Sequence, residues 1–210
     1  YGQHWVLRDI SLELNAPVTA VVGPNAAGKT TLLKCIAGIL VPGGRILLDG
    51  IPIATLGREK LARMVGYLDQ SASPDTSLTV LEYVLLGRLS RLKWRVSDSD
   101  LDVALAVMDK LNIGPLAAEV ITELSGGQRQ IAAIAQALVQ EARLFLLDEP
   151  TNNLDLRHQL SVLEMIVSLC QQSNLTAILA LHDLNLAARF ANRIVVLSEG
   201  ALYDAGPSAR

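Results

Sequence analysis

Val18-Thr19-Ala20-Val21-Val22-Gly23-Pro24-Asn25-Ala26-Ala27-Gly28-Lys29-Thr30-Thr31 is the stretch whose reading decides the fold. Val18 to Val22 is a short β-branched run that ends at a glycine, which predicts a buried strand. Beyond the turn, Leu33, Ile36, Ala37 and Leu40 recur at helical spacing from Thr30 to Leu40, and Pro42-Gly43-Gly44 then breaks the pattern. A strand, a glycine-rich turn, Gly-Lys-Thr and a helix, in that order, make a phosphate loop. The glycines let backbone N–H groups face phosphates, and the helix adds its positive end. The candidate nucleotide-binding residues are therefore Gly23, Pro24, Asn25, Ala26, Ala27, Gly28, Lys29, Thr30 and Thr31. Lys29 would reach the β- and γ-phosphates, and Thr30 would place its hydroxyl on Mg²⁺. A tight turn with an incidental lysine would leave the order of these elements unexplained.

Working outward, Arg143-Leu144-Phe145-Leu146-Leu147-Asp148-Glu149-Pro150 is a second apolar strand, ending in two carboxylates. Ala177 to Leu181 is a third, ending at His182, and Ile194 to Leu197 a fourth. Trp5 to Leu14 alternates apolar and polar residues as a half-buried strand does, and Arg45 to Asp49 reads as a strand before a turn at Gly50. Leu160 to Cys170 reads as a helix. Residues 74–115 differ in being rich in Leu, Val and charges, with helix starts at Ser77 or Thr79 and at Ser97 to Asp100, a mostly helical subdomain. Strands alternating with helices predict an α/β fold with a mostly parallel sheet covered on both faces.

The 210 residues suit one domain with a full core, or a core plus a small subdomain. A net charge of −3 implies no broad basic surface, so nucleic acid is not an expected partner. Cys35 and Cys170 are far apart and outside any CxxC pair, which reads as two buried free thiols in a reducing compartment. No apolar run approaches the roughly 18 residues that span a bilayer, and no signal peptide opens the chain. A role at a membrane would need a partner chain.

Downstream of the phosphate loop stands Leu124-Ser125-Gly126-Gly127-Gln128-Arg129-Gln130. Ser125 can cap a helix running through Gln130, Ile134 and Leu138, and its turn can bind an anion. The chain already has one phosphate site, so a second needs a reason. The LSGGQ stretch, the phosphate loop and the Asp148-Glu149 strand together resemble the ATP-binding cassette (ABC) ATPases along nearly the whole chain. That resemblance implies a phosphate-loop NTPase core with an antiparallel β subdomain, residues 1–73 and 116–210, around the helical subdomain 74–115. Family members continue for some tens of residues further, so the chain reads as a domain without its C-terminal tail.

The resemblance also implies roles. Asp148 would hold Mg²⁺ and Glu149 would polarise the attacking water as general base. Gln70, in Gly66-Tyr67-Leu68-Asp69-Gln70, would touch Mg²⁺ and the water. His182 would contact the γ-phosphate, and Tyr1 would stack on adenine. Ser125, Gly126, Gly127 and Gln128 would complete the γ-phosphate site of a second copy, two ATP molecules lying between two copies, with Asn153-Leu154-Asp155 lining the interface. Two departures stand out: Ala26 replaces a usual glycine, and Asp69 a common proline. His4 and His158 have no such context and read as structural.

Ala180-Leu181-His182-Asp183-Leu184-Asn185-Leu186-Ala187-Ala188-Arg189 and Leu78-Thr79-Val80 with Leu85-Leu86-Gly87-Arg88 are similar to the subfamily serving ferric-siderophore, haem and cobalamin uptake. This implies an importer ATPase at the cytoplasmic face of the cell membrane, paired with permease subunits and, indirectly, a substrate-binding protein. Three other readings stay open: a soluble ABC ATPase of DNA repair or the ribosome, an importer ATPase for another substrate, and a cassette that binds ATP without turnover, at which only Ala26 hints. A guanine-reading Asn-Lys-x-Asp motif is absent, which argues against a GTPase.

Overall fold

The computed structural model describes residues 6–69, 77–89, 95–152, 154–173 and 175–208. Tyr1, Trp5, Gln70 and Asn153 lie outside them. In chain order the elements are β1 (Val18–Val22), α1 (Lys29–Ile36), β2 (Leu47–Leu48), β3 (Ile51–Pro52), α2 (Arg58–Met64), β4 (Val65–Leu68), α3 (Val80–Leu86), α4 (Asp98–Lys110), α5 (Gly126–Leu138), β5 (Leu144–Asp148), α6 (Leu156–Ser173), β6 (Thr176–Ala180), α7 (Leu184–Phe190), β7 (Arg193–Ser198) and β8 (Ala201–Pro207). The main sheet has the order β4-β5-β6-β1-β7-β8. Its first five strands run parallel, and β8 pairs antiparallel with β7. β2 and β3 form a separate two-residue antiparallel ladder.

The strand period of two sorts side chains onto two cores. Val18, Ala20, Val22, Phe145, Leu147, Ala177 and Leu179 join the core that holds the inner faces of α3, α4, α5, α6 and α7. Val21, Leu144, Leu146, Ile178 and Ala180 point the other way, onto Leu32 and Leu33 of α1. Strands β1 and β5 are buried along their whole length, and β6 in all but its first residue, which is why they read as continuous apolar runs.

The helices over 80–110 begin where capping residues stand. Thr79 and Ser97 each accept a bond from the backbone N–H three residues on, and Glu82 and Asp100 reach back to close capping boxes. Both helices pack on α5. At the join, Arg88 donates from Nε to Asp100 Oδ1 at 2.6 Å, and from one terminal nitrogen to Val139 O at 2.9 Å and to Glu141 at 3.0 Å. This buried cation therefore ties the ends of α3 and α5 to the start of α4.

Residues 6–14 correct one expectation: they form no strand. The alternation is genuine, since Leu7, Ile10, Leu12 and Leu14 pack against the α1 core. Asp9, however, has φ 48°, which breaks an extended run. The segment's tie to the sheet is Arg8 N–H donating to Gly200 O at 2.7 Å. The strand expected over Arg45 to Asp49 shrinks to β2, and the helix expected to reach Leu40 ends at Ile36, where Gly38 turns away with φ 71°.

Candidate functional site

The phosphate loop leaves the carboxyl end of β1, between β6 and β7, where parallel sheets place ligands. Its shape needs its glycines at two points. A Cβ on Gly23 would lie 2.2 Å from Leu197 O, and Gly28, which caps α1, has φ 99°. Between them Ala27 N–H donates to Pro24 O at 3.2 Å, closing a turn whose third residue, Ala26, has φ 63°. The alanine that departs from the family pattern thus occupies a left-handed position.

Lys29 is buried, and its ammonium donates to Gly23 O at 2.9 Å and Pro24 O at 3.1 Å. Burial pushes its pKa down, opposed by the charges of Glu149 and Asp148. Those acids stand at the end of β5. Asp148 is 1% exposed and accepts from Thr30 Oγ1 at 3.1 Å and, weakly, from Tyr67 O–H at 3.4 Å. Burial raises its pKa, and the nearby Glu149 and Asp69 carboxylates add to that, against the two hydrogen bonds. Tyr67, in turn, is held protonated by burial first and then by Asp148.

A hydroxyl and a buried carboxylate, both hard oxygens and already in contact, fit Mg²⁺ well. Nearby carboxylates that push Asp148 toward its proton would be offset by a cation there. Among the described residues no group of three or more His, Cys, Asp or Glu side chains could cage a metal alone.

Alternate strand residues point to opposite faces, so Asp148 and Glu149 need a device to share a site. The device is the backbone of Glu149, at φ 51°. This left-handed turn ends the strand, with Glu149 N–H still bonded to Ala180 O at 3.1 Å. The Glu149 carboxylate pairs with His182 Nε2, just past β6, and accepts from Asn152 Nδ2 at 3.3 Å. The structure therefore brings Lys29, Thr30, Asp148, Glu149 and His182 to one end of the sheet.

The turn that begins α5 stands apart. Ser125 caps α5, its Oγ accepting from Gln128 N–H at 3.3 Å while Gln128 Oε1 accepts from Ser125 N–H at 2.9 Å. The cap uses the hydroxyl as acceptor and leaves its proton to donate elsewhere. Ser125 and Gly126 are exposed, and a Cβ on Gly126 would meet nothing within 4 Å. None of these bonds reaches the phosphate loop. Asp155 precedes α6 and binds His158, whose backbone amide and then ring hold its carboxyl below the usual range. Sequence reading gave Tyr67 and Asn152 no role and read His158 as structural; their contacts run across strands or turns, and no motif spacing marks them.

The profile of the family described as ABC transporter matches residues 7–152. The chain belongs to the ABC transporter family. It is an ATP-binding cassette ATPase, as its phosphate loop and LSGGQ stretch led us to expect, and its mostly parallel sheet is the α/β phosphate-loop fold that those motifs implied. An uncharacterised ABC transporter ATP-binding protein of Methanocaldococcus jannaschii is 43% identical over 98% of this chain and 82% of its own. The ferric enterobactin transport ATP-binding protein of Escherichia coli is 37% identical over 98% of this chain and 78% of its own. The hemin import ATP-binding protein of Myxococcus xanthus is 41% identical over 96% and 78%. Among solved structures, a putative metal-chelate type ABC transporter in an inward-facing conformation matches at TM-score 0.83 and 32% identity, over 96% of this chain and 76% of that one. A dimeric cassette bound to ADP and Pi, in a post-hydrolysis state, matches at TM-score 0.86 and 25% identity, over 100% and 94%. Among the described residues no helix is long and apolar enough to cross a membrane.

Proposed function

We propose that this cassette drives import of a metal chelate of the iron-siderophore, haem or cobalamin type, working at the cytoplasmic face of a membrane. Its partners would be a second copy of itself, separate permease subunits and, through them, a substrate-binding protein. The substrate class is supported by the ferric enterobactin and hemin import proteins and by the metal-chelate type transporter, to which the chain is 37%, 41% and 32% identical over 96–98% of its residues.

Lys29 meets the β- and γ-phosphates of ATP, exchanging its two loop carbonyls for them. Thr30 Oγ1 and Asp148, with Gln70, would hold Mg²⁺, which would supply positive charge against the phosphates. Glu149 takes the proton of the water that adds to the γ-phosphorus as ADP leaves. Asn152 fixes one oxygen of that carboxylate, and His182, paired with the same carboxylate, would contact the γ-phosphate. Tyr1 stacks on adenine. Ser125, Gly126, Gly127 and Gln128 close on the γ-phosphate of the second copy, and Asp155 lines the join.

The observation that carries the two-copy part of this reading is the exposed turn at Ser125–Gly126, whose hydrogen bonds among the described residues stay within the cap of α5 and do not reach the phosphate loop. It gains a purpose when another copy supplies the nucleotide. Glu149→Gln removes the base and keeps its shape. By light scattering, that variant is expected to shift from monomer to dimer only with Mg-ATP. A monomer at saturating Mg-ATP would refute the two-copy site, and substantial turnover by the variant would refute the role of Glu149.

A further inference from the structure

His158 carries no motif, yet it lies where two parts of the proposed two-copy site meet. Its ring lies against Gly127: a Cβ built on that glycine would sit 3.0 Å from His158 Cδ2 and 3.5 Å from Cγ. It also bonds to Asp155. The His158 N–H donates to Asp155 Oδ1 at 2.9 Å, and ring Nδ1 lies 2.9 Å from both carboxylate oxygens. A carboxylate only accepts, so Nδ1 carries the proton and the ring plane is fixed. The next residue, Gln159, donates from Nε2 to Thr151 O at 3.3 Å and Leu154 O at 3.0 Å. Asn152 N–H closes the path, donating to Glu149 O at 3.0 Å.

Contacts thus lead from Glu149, through Asn152, Thr151 and Gln159, to His158 and the turn that begins α5. We propose that His158 is a positioning residue that locks Gly127 to Asp155, so that the signature turn and the loop after Glu149 take up their dimer-competent places together. This rests on the two-copy reading above. The ring is 55% exposed. A histidine that only capped α6 would serve with its amide and the Asp155 bond, and would need no contact with a glycine on another helix. The contact with Gly127 is what makes it a bridge.

The test uses the full chain carrying Glu149→Gln. Two quantities are read: ATP affinity at protein concentrations too low for dimers, and the Mg-ATP concentration that gives half-maximal dimer by light scattering. His158→Phe keeps a ring on Gly127 without the donor, and His158→Asn keeps a donor without the ring. Each, like His158→Ala, is expected to raise the half-maximal Mg-ATP concentration about tenfold, a typical coupling between linked sites, with monomer affinity unchanged within about twofold. If His158→Ala fails to fold, the Phe and Asn variants carry the test. Dimerisation at the parent's Mg-ATP concentration would overturn the proposal, and so would a parallel loss of monomer affinity and thermal stability. If the Glu149→Gln parent itself stays monomeric, the two-copy reading falls and takes this proposal with it.

Discussion

Ala26→Gly should stabilise this protein, the reverse of the usual effect of glycine. Ala26 has φ 63° and an exposed side chain, so its methyl strains the backbone without packing against anything. The left-handed conformation costs a non-glycine residue about 1–2 kcal/mol. Glycine gives back about 0.5–1 kcal/mol through its greater freedom in the unfolded chain. The net gain is about 0.5–1 kcal/mol, which for a domain of this size raises Tm by about 2 °C. Differential scanning calorimetry of the two proteins side by side resolves that. Ala27→Gly is the control: Ala27 is 2% exposed and has no positive φ, so glycine there loses buried area and gains freedom only when unfolded. It should lower stability by about 1 kcal/mol. A fall in Tm for Ala26→Gly comparable to that of the control would refute the claim that the loop strains residue 26.

Gly87→Ala would place a Cβ 1.9 Å from Gln136 O and 2.7 Å from Val139 Cγ2, prising α3 from α5. A loss of about 3 kcal/mol is expected in urea melts, and a neutral effect would mean that the helices part freely. Asp100 has its pKa lowered to about 2 by the Ser97 hydroxyl first and then by Arg88. A depressed carboxyl stabilises the fold above its unfolded value and loses that effect as pH falls. Urea midpoints should therefore drop between the ordinary 3.8 and about 2, and Asp100→Asn should flatten that drop. Lys29→Ala should weaken ATP binding at least about tenfold, since a charge-assisted contact to phosphate contributes about 1.5–3 kcal/mol. Unchanged affinity in a calorimetric titration would detach Lys29 from the nucleotide.

The sequence made the centre of the sheet legible. β1, β5, β6 and β7 are short apolar runs, and three of them end in residues that chemistry singles out. Serine and threonine caps at Thr79, Ser97 and Ser125 marked the helix starts. Other elements left weaker traces. Residues 6–14 alternate as a strand does because alternation reports which side chains are buried, not what the backbone bonds to. β4 is four residues with a glycine inside, and β8 is largely exposed and ends in Gly-Pro, so neither has a continuous apolar signal. α7 hid behind the one residue that caps it, Asp183. Within the site the motif residues were visible one by one, while the contacts among them were not. Tyr67 meets Asp148 because β4 lies beside β5 in register, with Tyr67 opposite Leu146, a fact of strand order that no spacing encodes.

The left-handed backbone at Glu149 has a practical consequence. With no Cβ, a glycine would adopt that turn without strain, so the backbone geometry and the proposed role in turnover ask for different residues at this position. On the role proposed above, Glu149→Gly would relieve that backbone strain, give up the pairing with His182 and Asn152, and remove the base for hydrolysis. Any campaign to harden this cassette should therefore screen for phosphate release from the first round.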